Sequence, residues 1–275
     1  MAGPLVSIPI LCHNYGRFLA EAIESALAQT YGQVEVTVWD DGSTDATAEV
    51  AARYVPDVSV VSQENAGIAW TCNRAVEAAR GEWFAFLSAD DRFEPTYVEE
   101  LLGAILRSRG ASFAYCDARL FGAASGVQRA LPFDPLVLVR ANFVNGCALT
   151  RRDDFLALGG YDPALDGHGY EDWDFWLRML ASGRRGTHVP KPLLHWRRHE
   201  NGSRNPTRPE DAGRAAALVR ARHPELVERL DGVERAPFAH RLAYDPRVRR
   251  SALIRPYAER ALWRAVARRA LNGRG

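Results

Sequence analysis

The sequence predicts an α/β fold in which helices cover a mostly parallel β-sheet. Short apolar runs alternate with amphipathic helical stretches through the first third of the 275-residue chain. Each apolar run is nearly continuous, as is typical of strands that are buried on both faces. Polar side chains follow these runs directly, at the strand ends where such sheets bind ligands. We therefore expect a Rossmann-like sheet with a polar crevice along one edge.

The alternation assigns the elements of residues 1–91 in order. The predicted strands are Val6–Leu11, Val34–Trp39, Val58–Ser62 and Trp83–Leu87. The predicted helices are Arg17–Gln29, Asp45–Tyr54 and Ile68–Ala79. Ser43 or Thr44 is expected to cap the second helix, because short hydroxyl side chains satisfy free backbone N–H groups at a helix start.

After Asp91 the pattern becomes α+β, with longer irregular stretches between the elements. The predicted elements are the helices Thr96–Arg109, Asp153–Leu158 and Glu171–Ala181 and the strands Ser112–Asp117 and Phe143–Leu149. A loop over Asn201–Pro209 leads into Ala-, Arg- and Leu-rich helical sequence. We expect one domain over 1–205, with an N-terminal half (1–91) and a C-terminal half (92–205), and a helical extension over 206–275.

Composition excludes several classes of protein. Hydrophobic residues make up 47% and charged residues 25% of the chain, which is typical of a soluble globular protein. No apolar run approaches the length of about 20 residues that a membrane-spanning helix needs. The four cysteines form no close pair, so we expect reduced thiols in a cytoplasmic protein. Dinucleotide oxidoreductases and P-loop enzymes are disfavoured because neither glycine-rich signature is present.

The C-terminal residues differ in charge from the rest of the chain. Residues 249–275 carry eight arginines against Glu259, a net +7, which leaves −6 for residues 1–248. An acidic body argues against a nucleic-acid partner. The spacing over 251–272 predicts a basic amphipathic helix. It would either contact anionic lipid peripherally at the inner membrane surface, or dock on the domain or across a homodimer.

Six motifs follow one another in a fixed order. They are SIPILCHN (7–14), VWDDGSTD (38–45), NAG (65–67), FLSADD (86–91), GGYD (159–162) and EDWDFWL (171–177). In this order they resemble the family 2 inverting glycosyltransferases of the GT-A fold, over residues 5–205. The resemblance implies metal-dependent transfer of a sugar from a nucleotide sugar, with UDP as the expected nucleotide. The implied acceptor is a hydroxyl group of a saccharide, a lipid-linked or a small molecule in polysaccharide or glycoconjugate synthesis.

The resemblance also implies a nucleotide site in the N-terminal half. Asp41 would accept a hydrogen bond from the uracil imide N–H. Ser88 would bind a ribose hydroxyl group and Arg197 would bind phosphate. The full set of implied nucleotide contacts is Leu11, His13, Asp41, Asn65, Ser88, Ala89 and Arg197. The alternative for DDGS is a turn followed by a helix cap, with Ser43 or Asp45 as the capping residue.

A divalent cation, Mn²⁺ or Mg²⁺, is implied beside the diphosphate. Asp90 and His199 are its implied protein ligands, and carboxylate and phosphate oxygens suit such a hard cation. The sequence departs from the family at Ser88, where relatives have aspartate, and at Cys72, where many have arginine. The alternatives are a helix start for Asp90 and a surface loop for His199.

The chemical step is implied at the EDWDFWL motif. Asp172 would remove the proton of the acceptor hydroxyl, while Glu171 and Trp173 would bind the acceptor. The alternatives are two acids in a favourable first helical turn and a tryptophan in the core.

Two other classes of protein stay open. One is a degenerate GT-A protein that binds nucleotides without turnover, because of Ser88 and Cys72. The other is a sugar-1-phosphate nucleotidyltransferase, which is disfavoured because Cys12–Arg17 lacks the expected glycine-rich basic loop.

Overall fold

The structure is a computed structural model, and it describes residues 3–108, 110–166, 169–200 and 209–231. Its strands are β1 Val6–Cys12, β2 Val34–Asp41, β3 Ser59–Gln63, β4 Trp83–Phe84, β5 Leu87–Ser88, β6 Arg92–Phe93, β7 Ala111–Gly122, β8 Gly126–Gln128, β9 Leu149–Arg151 and β10 Arg185–Arg198. Its helices are α1 Gly16–Leu27, α2 Thr47–Ala52, α3 Ile68–Ala78, α4 Tyr97–Arg107, α5 Pro135–Leu138, α6 Arg152–Ala157, α7 Glu171–Ala181, α8 Pro209–Ala221 and α9 Pro224–Asp231.

One ten-stranded sheet runs through both halves of the chain, in the order β3-β2-β1-β4-β9-β7-β10-β6, with β5 also on β1 and β8 on β7. In the N-terminal half, β1 pairs in parallel with β2, β4 and β5, and β2 pairs in parallel with β3. Cys12 lies opposite Asp40, and Asp41 lies opposite Gln63. The carboxyl ends of these strands therefore meet at one edge, as the sequence predicts.

The C-terminal half adds strands in both parallel and antiparallel pairs to this sheet. Strand β9 pairs antiparallel with both β4 and β7, so it joins the two halves. The long strand β10 pairs in parallel with β7, with register shifts around Pro192. Sequence reasoning missed β10, because Pro190 and Pro192 interrupt its pattern and prolines usually exclude a strand interior.

The predicted strand Phe143–Leu149 is wrong over most of its length. Residues 143–148 are irregular, and the strand runs over Leu149–Arg151. Asn142 accepts a hydrogen bond from the Val144 N–H group through its side chain, and the Asn145 carbonyl accepts one from the Ala148 N–H group. The apolar residues here are buried because the loop packs into the core.

Two further expectations need correction. The predicted strand Trp83–Leu87 is divided into β4 and β5. Helix α2 has no side-chain cap from Ser43 or Thr44; Asp45 instead accepts a hydrogen bond from the Thr47 N–H group. The Ser43 hydroxyl accepts one from the Asn14 N–H group.

Two apolar clusters form the core. The four cysteines are buried and free. Helix α8 packs on α7, and Val219 of α8 is fully buried. No helix in the described ranges is long and apolar enough to cross a membrane. The predicted basic helix over 251–272 lies outside the described residues.

Candidate active site

A cavity of about 870 Å³ opens where β1, β2 and β5 end, and both halves of the chain line it. Of the residues predicted from sequence, the cavity is lined by Leu11, His13, Asp41, Asn65, Ser88, Ala89, Asp90, Glu171, Asp172 and Trp173. Arg197 and His199 are not among its lining residues. The topology thus brings widely separated motifs to one place.

The DDGS motif forms a tight turn that supports this cavity. Asp40 accepts a hydrogen bond from the Ser43 N–H group over 2.9 Å. Gly42 has a φ of +72°, and a Cβ atom there would lie 2.6 Å from the backbone nitrogen of Asn65. Glycine is required here because other side chains disfavour this φ and would strike Asn65. The DDGS motif therefore forms a turn, and the contact of Asp41 with a nucleotide stays a prediction.

Asp41 organises the neighbouring loop as well as lining the cavity. Its Oδ1 accepts hydrogen bonds from Gln63 Nε2 at 2.8 Å and from the Ala66 N–H group at 2.9 Å. Its Oδ2 accepts one from the Gly67 N–H group at 3.1 Å. An ionised carboxylate has about four acceptor positions, so one stays available to a ligand.

His13 and Asn65 lie beside Asp41. The Asp41 carbonyl is 2.7 Å from His13 Nδ1 and accepts a hydrogen bond from Asn65 Nδ2 at 3.1 Å. These three predicted nucleotide contacts are therefore adjacent. Their arrangement presents an imidazole, an amide and a carboxylate to the cavity.

The predicted metal ligands are also brought together. Asp90 Oδ2 lies 2.7 Å from His199 Nε2, and the imidazole packs against the rings of Tyr15 and Phe18. The described residues contain no group of three or more His, Cys, Asp or Glu side chains placed to hold a metal. Two protein ligands nevertheless fit Mn²⁺ or Mg²⁺, because substrate phosphates and water complete such sites.

Asp91 is a buried carboxyl group that sequence reasoning did not assign to the site. Its Oδ1 accepts a hydrogen bond from the Arg197 N–H group at 2.8 Å. Burial, and then the charge of Asp90, raise the pKa of Asp91 well above its usual value.

Arg198 lines the cavity, whereas Arg197 is not among the lining residues, and phosphate binding by Arg197 stays a prediction. The Arg197 guanidinium donates hydrogen bonds to the Asp90 carbonyl and the Glu21 carboxylate, each at 2.9 Å. It also lies over the rings of Phe18 and Phe121. Neighbouring side chains of a strand point to opposite faces, so only one of the two arginines can reach the cavity.

Asp172 has the largest pKa shift among the predicted site residues. It lies in the first turn of α7, directly after Tyr170 and Glu171. Burial, and then the charge of Glu171, raise the pKa of Asp172 to about 7, although hydrogen bonds from Asn142 Nδ2 and the Trp173 N–H group oppose the shift. A carboxyl group with a pKa near neutrality is suited to moving a proton.

Trp173 lines the cavity but packs in the core, and its binding of an acceptor stays a prediction. It is 2% exposed, and its Nε1 donates a hydrogen bond to the Leu138 carbonyl at 2.7 Å. Trp176 is equally buried against Phe113. Trp70 is 46% exposed but does not line the cavity.

The GGYD motif connects the two halves of the chain. Asn73 accepts a hydrogen bond from the Tyr161 N–H group at 2.7 Å and donates one to the Tyr161 carbonyl at 2.8 Å. Gly160 has a φ of +67°, and a Cβ atom there would lie 2.3 Å from Asn73 Oδ1. The second glycine of the motif is therefore needed for this close contact.

Sequence reasoning missed three contributors to the site. Asn142 reaches Asp172 from an irregular segment that carries no motif. Arg198 was visible as the neighbour of Arg197, and Asp91 as the neighbour of Asp90. A strand assignment for β10 would have separated the two arginines by face.

Comparison with known proteins identifies the class of protein. The model described as glycosyl transferase family 2 matches residues 7–126, and one described as glycosyltransferase like family 2 matches residues 123–205. An uncharacterized glycosyltransferase of Rickettsia typhi, RT0329, is 30% identical over 191 residues. That match covers 65% of this chain and 60% of the relative's length. The chain belongs to glycosyltransferase family 2.

Solved structures share the fold at low sequence identity. TarS of S. aureus in complex with UDP-GlcNAc is similar with a TM-score of 0.63 and 16% identity, over 96% of this chain and 72% of that one. The mannosyltransferase PcManGT of Pyrobaculum calidifontis, in complex with GDP-Man and Mn²⁺, has a TM-score of 0.57 and 18% identity, over 99% of this chain and 88% of that one. The fold is the GT-A type.

Proposed function

We propose that the chain is an inverting glycosyltransferase in which Asp172 is the general base. The observation that carries this proposal is a cavity-lining carboxyl group whose pKa is raised to about 7. The cavity also contains the carboxylates of Asp41 and Asp90 from the opposite half. One cavity thus combines a proton acceptor with a polar binding region.

The reaction we infer is a single displacement. Asp172 takes the proton of an acceptor hydroxyl group as the oxygen of that group attacks the anomeric carbon. The bond between this carbon and the diphosphate breaks, and the nucleoside diphosphate leaves from the opposite face. The configuration at the anomeric carbon is inverted, and no covalent enzyme intermediate forms.

The nucleotide would bind at the ends of β1, β2 and β5. Asp41 Oδ2 has the acceptor position that a uracil imide requires, and Leu11, His13 and Asn65 surround it. Ser88 and Ala89 also line the cavity and directly precede Asp90 in the sequence. The ribose would lie beside these two residues. The complexes of TarS with UDP-GlcNAc and of PcManGT with GDP-Man support a nucleotide-sugar donor.

Asp90 and His199 would hold a divalent cation beside the diphosphate. Mn²⁺ or Mg²⁺ bound there would neutralise charge on the departing diphosphate. The Mn²⁺ of the PcManGT complex supports this proposal. Arg198, rather than Arg197, is the arginine we expect to assist, because it lines the cavity.

Calorimetric titration with UDP, GDP and dTDP, each with and without Mn²⁺, tests the donor site. We expect one nucleotide to bind, and to bind more tightly with the metal. Release of that nucleotide from its sugar conjugates then tests turnover. Binding without turnover would favour the degenerate nucleotide-binding protein, and no binding by a folded sample would contradict the donor site.

We also propose that residues 249–275 contact anionic membranes from the cytoplasmic side. The support is their net charge of +7 and the amphipathic spacing over 251–272. The test compares the full chain with a chain ending at Arg249 in sedimentation with phosphatidylglycerol vesicles. Loss of vesicle binding on truncation supports the proposal. Equal binding would contradict it and favour a docked or dimer-forming helix, which light scattering would distinguish.

A further inference from the structure

We propose that Arg222 and His223 are positioning residues for Asp172, and that they act by fixing helix α7 through Asp174. This inference rests on the proposed function of Asp172 as the base. Both residues come from the junction between α8 and α9, beyond residue 205 and outside every motif found in the sequence. The geometry points to a C-terminal segment that completes the catalytic site.

Asp172 and Asp174 lie on different sides of the same helix. Two residues correspond to a rotation of about 200° around an α-helix. Asp172 accordingly lines the cavity, whereas Asp174 is absent from its lining and is 1% exposed. Any group that binds Asp174 therefore fixes α7 on the side of the helix that faces away from the cavity.

Three side chains converge on the Asp174 carboxylate. Arg178 Nε donates to Oδ2 at 2.8 Å, while His223 Nε2 lies 2.9 Å and Arg222 Nε 3.2 Å from Oδ1. Burial alone would raise the pKa of Asp174, but the hydrogen bonds from His223 and Arg178 outweigh it and lower the pKa to about 2. Asp174 is therefore ionised at neutral pH, and two of its partners come from the α8–α9 junction.

The same cluster also fixes the GGYD loop. Arg178 donates hydrogen bonds to the carbonyls of Leu158 and Gly160, each at 2.6 Å. Arg222 forms a second ion pair with Asp162. Because Asn73 binds the backbone of Tyr161, the network continues from the α8–α9 junction to helix α3 of the N-terminal half.

Apolar packing holds the junction in place. Val219 is fully buried, and Leu226 and Val227 are partly buried against the core cluster that contains Trp173 and Trp176. Ala216 of α8 lines the cavity itself. A shift of the α8–α9 junction would therefore move α7 relative to the donor half, and small misplacements of a base cost much of the rate.

The test compares Arg222→Ala and His223→Ala with Arg184→Ala. Arg184 forms a partly buried ion pair with Asp154 at 2.6 Å, which makes it a matched control that contacts neither Asp174 nor the cavity. We expect both junction variants to lower kcat roughly 10- to 100-fold with little change in the KM for the donor. The control should keep both constants. His223→Gln, which keeps a side-chain N–H donor, should recover most of kcat.

Amide hydrogen exchange gives a readout that does not depend on turnover. We expect faster exchange in α7 for the junction variants, with exchange in α4 unchanged, and neither change in Arg184→Ala. Should the alanine variants fail to fold, Arg222→Lys and His223→Phe replace them, because these variants remove the guanidinium and the imidazole N–H group but keep much of the side-chain volume. Unchanged α7 exchange, a raised KM at constant kcat, or the same kcat loss in Arg184→Ala would overturn the proposal. A wild-type protein that turns over no donor would contradict the proposed function, and α7 exchange alone would then decide the positioning role.

Discussion

The cavity carboxyl groups of the two halves of the chain lie in different environments. In the N-terminal half, Asp41 is held by one side-chain and two backbone N–H donors at the ends of parallel strands. In the C-terminal half, Asp172 has hydrogen bonds from Asn142 and the Trp173 N–H group, and it adjoins Glu171. Burial and the neighbouring charge raise its pKa to about 7. The first environment fixes the orientation of a carboxyl group for binding, and the second favours a group that exchanges protons.

The largest expected effect comes from removing the proton acceptor. Asp172→Asn should lower sugar transfer about 10²- to 10⁴-fold, because the amide cannot accept the acceptor proton. Nucleotide affinity in calorimetry should stay at the wild-type value, since the donor contacts lie in the other half. Asp154→Asn, which alters a carboxylate outside the cavity, is the control. Retained transfer, or a parallel loss of nucleotide binding, would contradict the division between the halves.

The pH dependence of wild-type transfer should follow the Asp172 carboxylate. Below its midpoint near pH 7, kcat should fall about tenfold per pH unit, because the protonated acid cannot act as a base. A midpoint near pH 4 would mean that burial does not raise the pKa of Asp172.

The stability of the folded protein should also depend on pH through the ionisation of Asp172. The folded pKa of Asp172, about 7, exceeds the ordinary value of 3.8, so the folded protein retains a proton that the unfolded chain releases. This stabilising contribution is present below pH 4 and is lost as the pH rises through 7. Asp172→Asn should therefore gain Tm relative to wild type between pH 5 and pH 8. A constant difference in Tm across this range would contradict the raised pKa.

Removing Asp90 should have a smaller effect, confined to the metal response. Asp90→Ala leaves His199 as the single predicted protein ligand, so Mn²⁺ should no longer tighten nucleotide binding. Titration of the selected nucleotide with and without Mn²⁺ measures this. Asp91 is not a suitable control because it is buried beside Arg197. Glu64→Ala is suitable, since Glu64 lies outside the cavity lining. A metal response that survives in Asp90→Ala would remove Asp90 from the site.

The two halves of the chain also differ in how well their structure could be predicted from the sequence. The N-terminal half follows local periodicity, so helix α3 was predicted to within one residue and the ends of β1 and β2 correctly marked the cavity. The C-terminal half depends on long-range contacts. Asn142 reaches Asp172 from an irregular segment just before the predicted strand Phe143–Leu149, and β10 contains two prolines. Helix α7 was nevertheless predicted with its observed ends, because its polar start and apolar face are local features.

The burial of individual side chains was the property that was hardest to predict from the sequence. The family resemblance places Trp173 at the acceptor, yet the side chain is buried and its Nε1 group donates a hydrogen bond to the Leu138 carbonyl. Arg197 was expected at phosphate, yet it pairs with Glu21. Exposure of a side chain depends on which distant segment covers it, and a motif does not contain that information.

The smallest expected effect comes from Trp173→Phe, and it separates the packing role of this residue from an acceptor role. Loss of the hydrogen bond to the Leu138 carbonyl should lower the free energy of unfolding by about 1–3 kcal/mol, because the carbonyl is left buried without its partner. The KM for the acceptor should not change, since the ring is only 2% exposed and packs in the core. Urea denaturation measures the first quantity and initial-rate kinetics the second. Trp70→Phe, at a ring that is 46% exposed, should alter neither. A raised acceptor KM with unchanged stability would instead restore the sequence-based expectation for Trp173 and place the acceptor deeper in the C-terminal half.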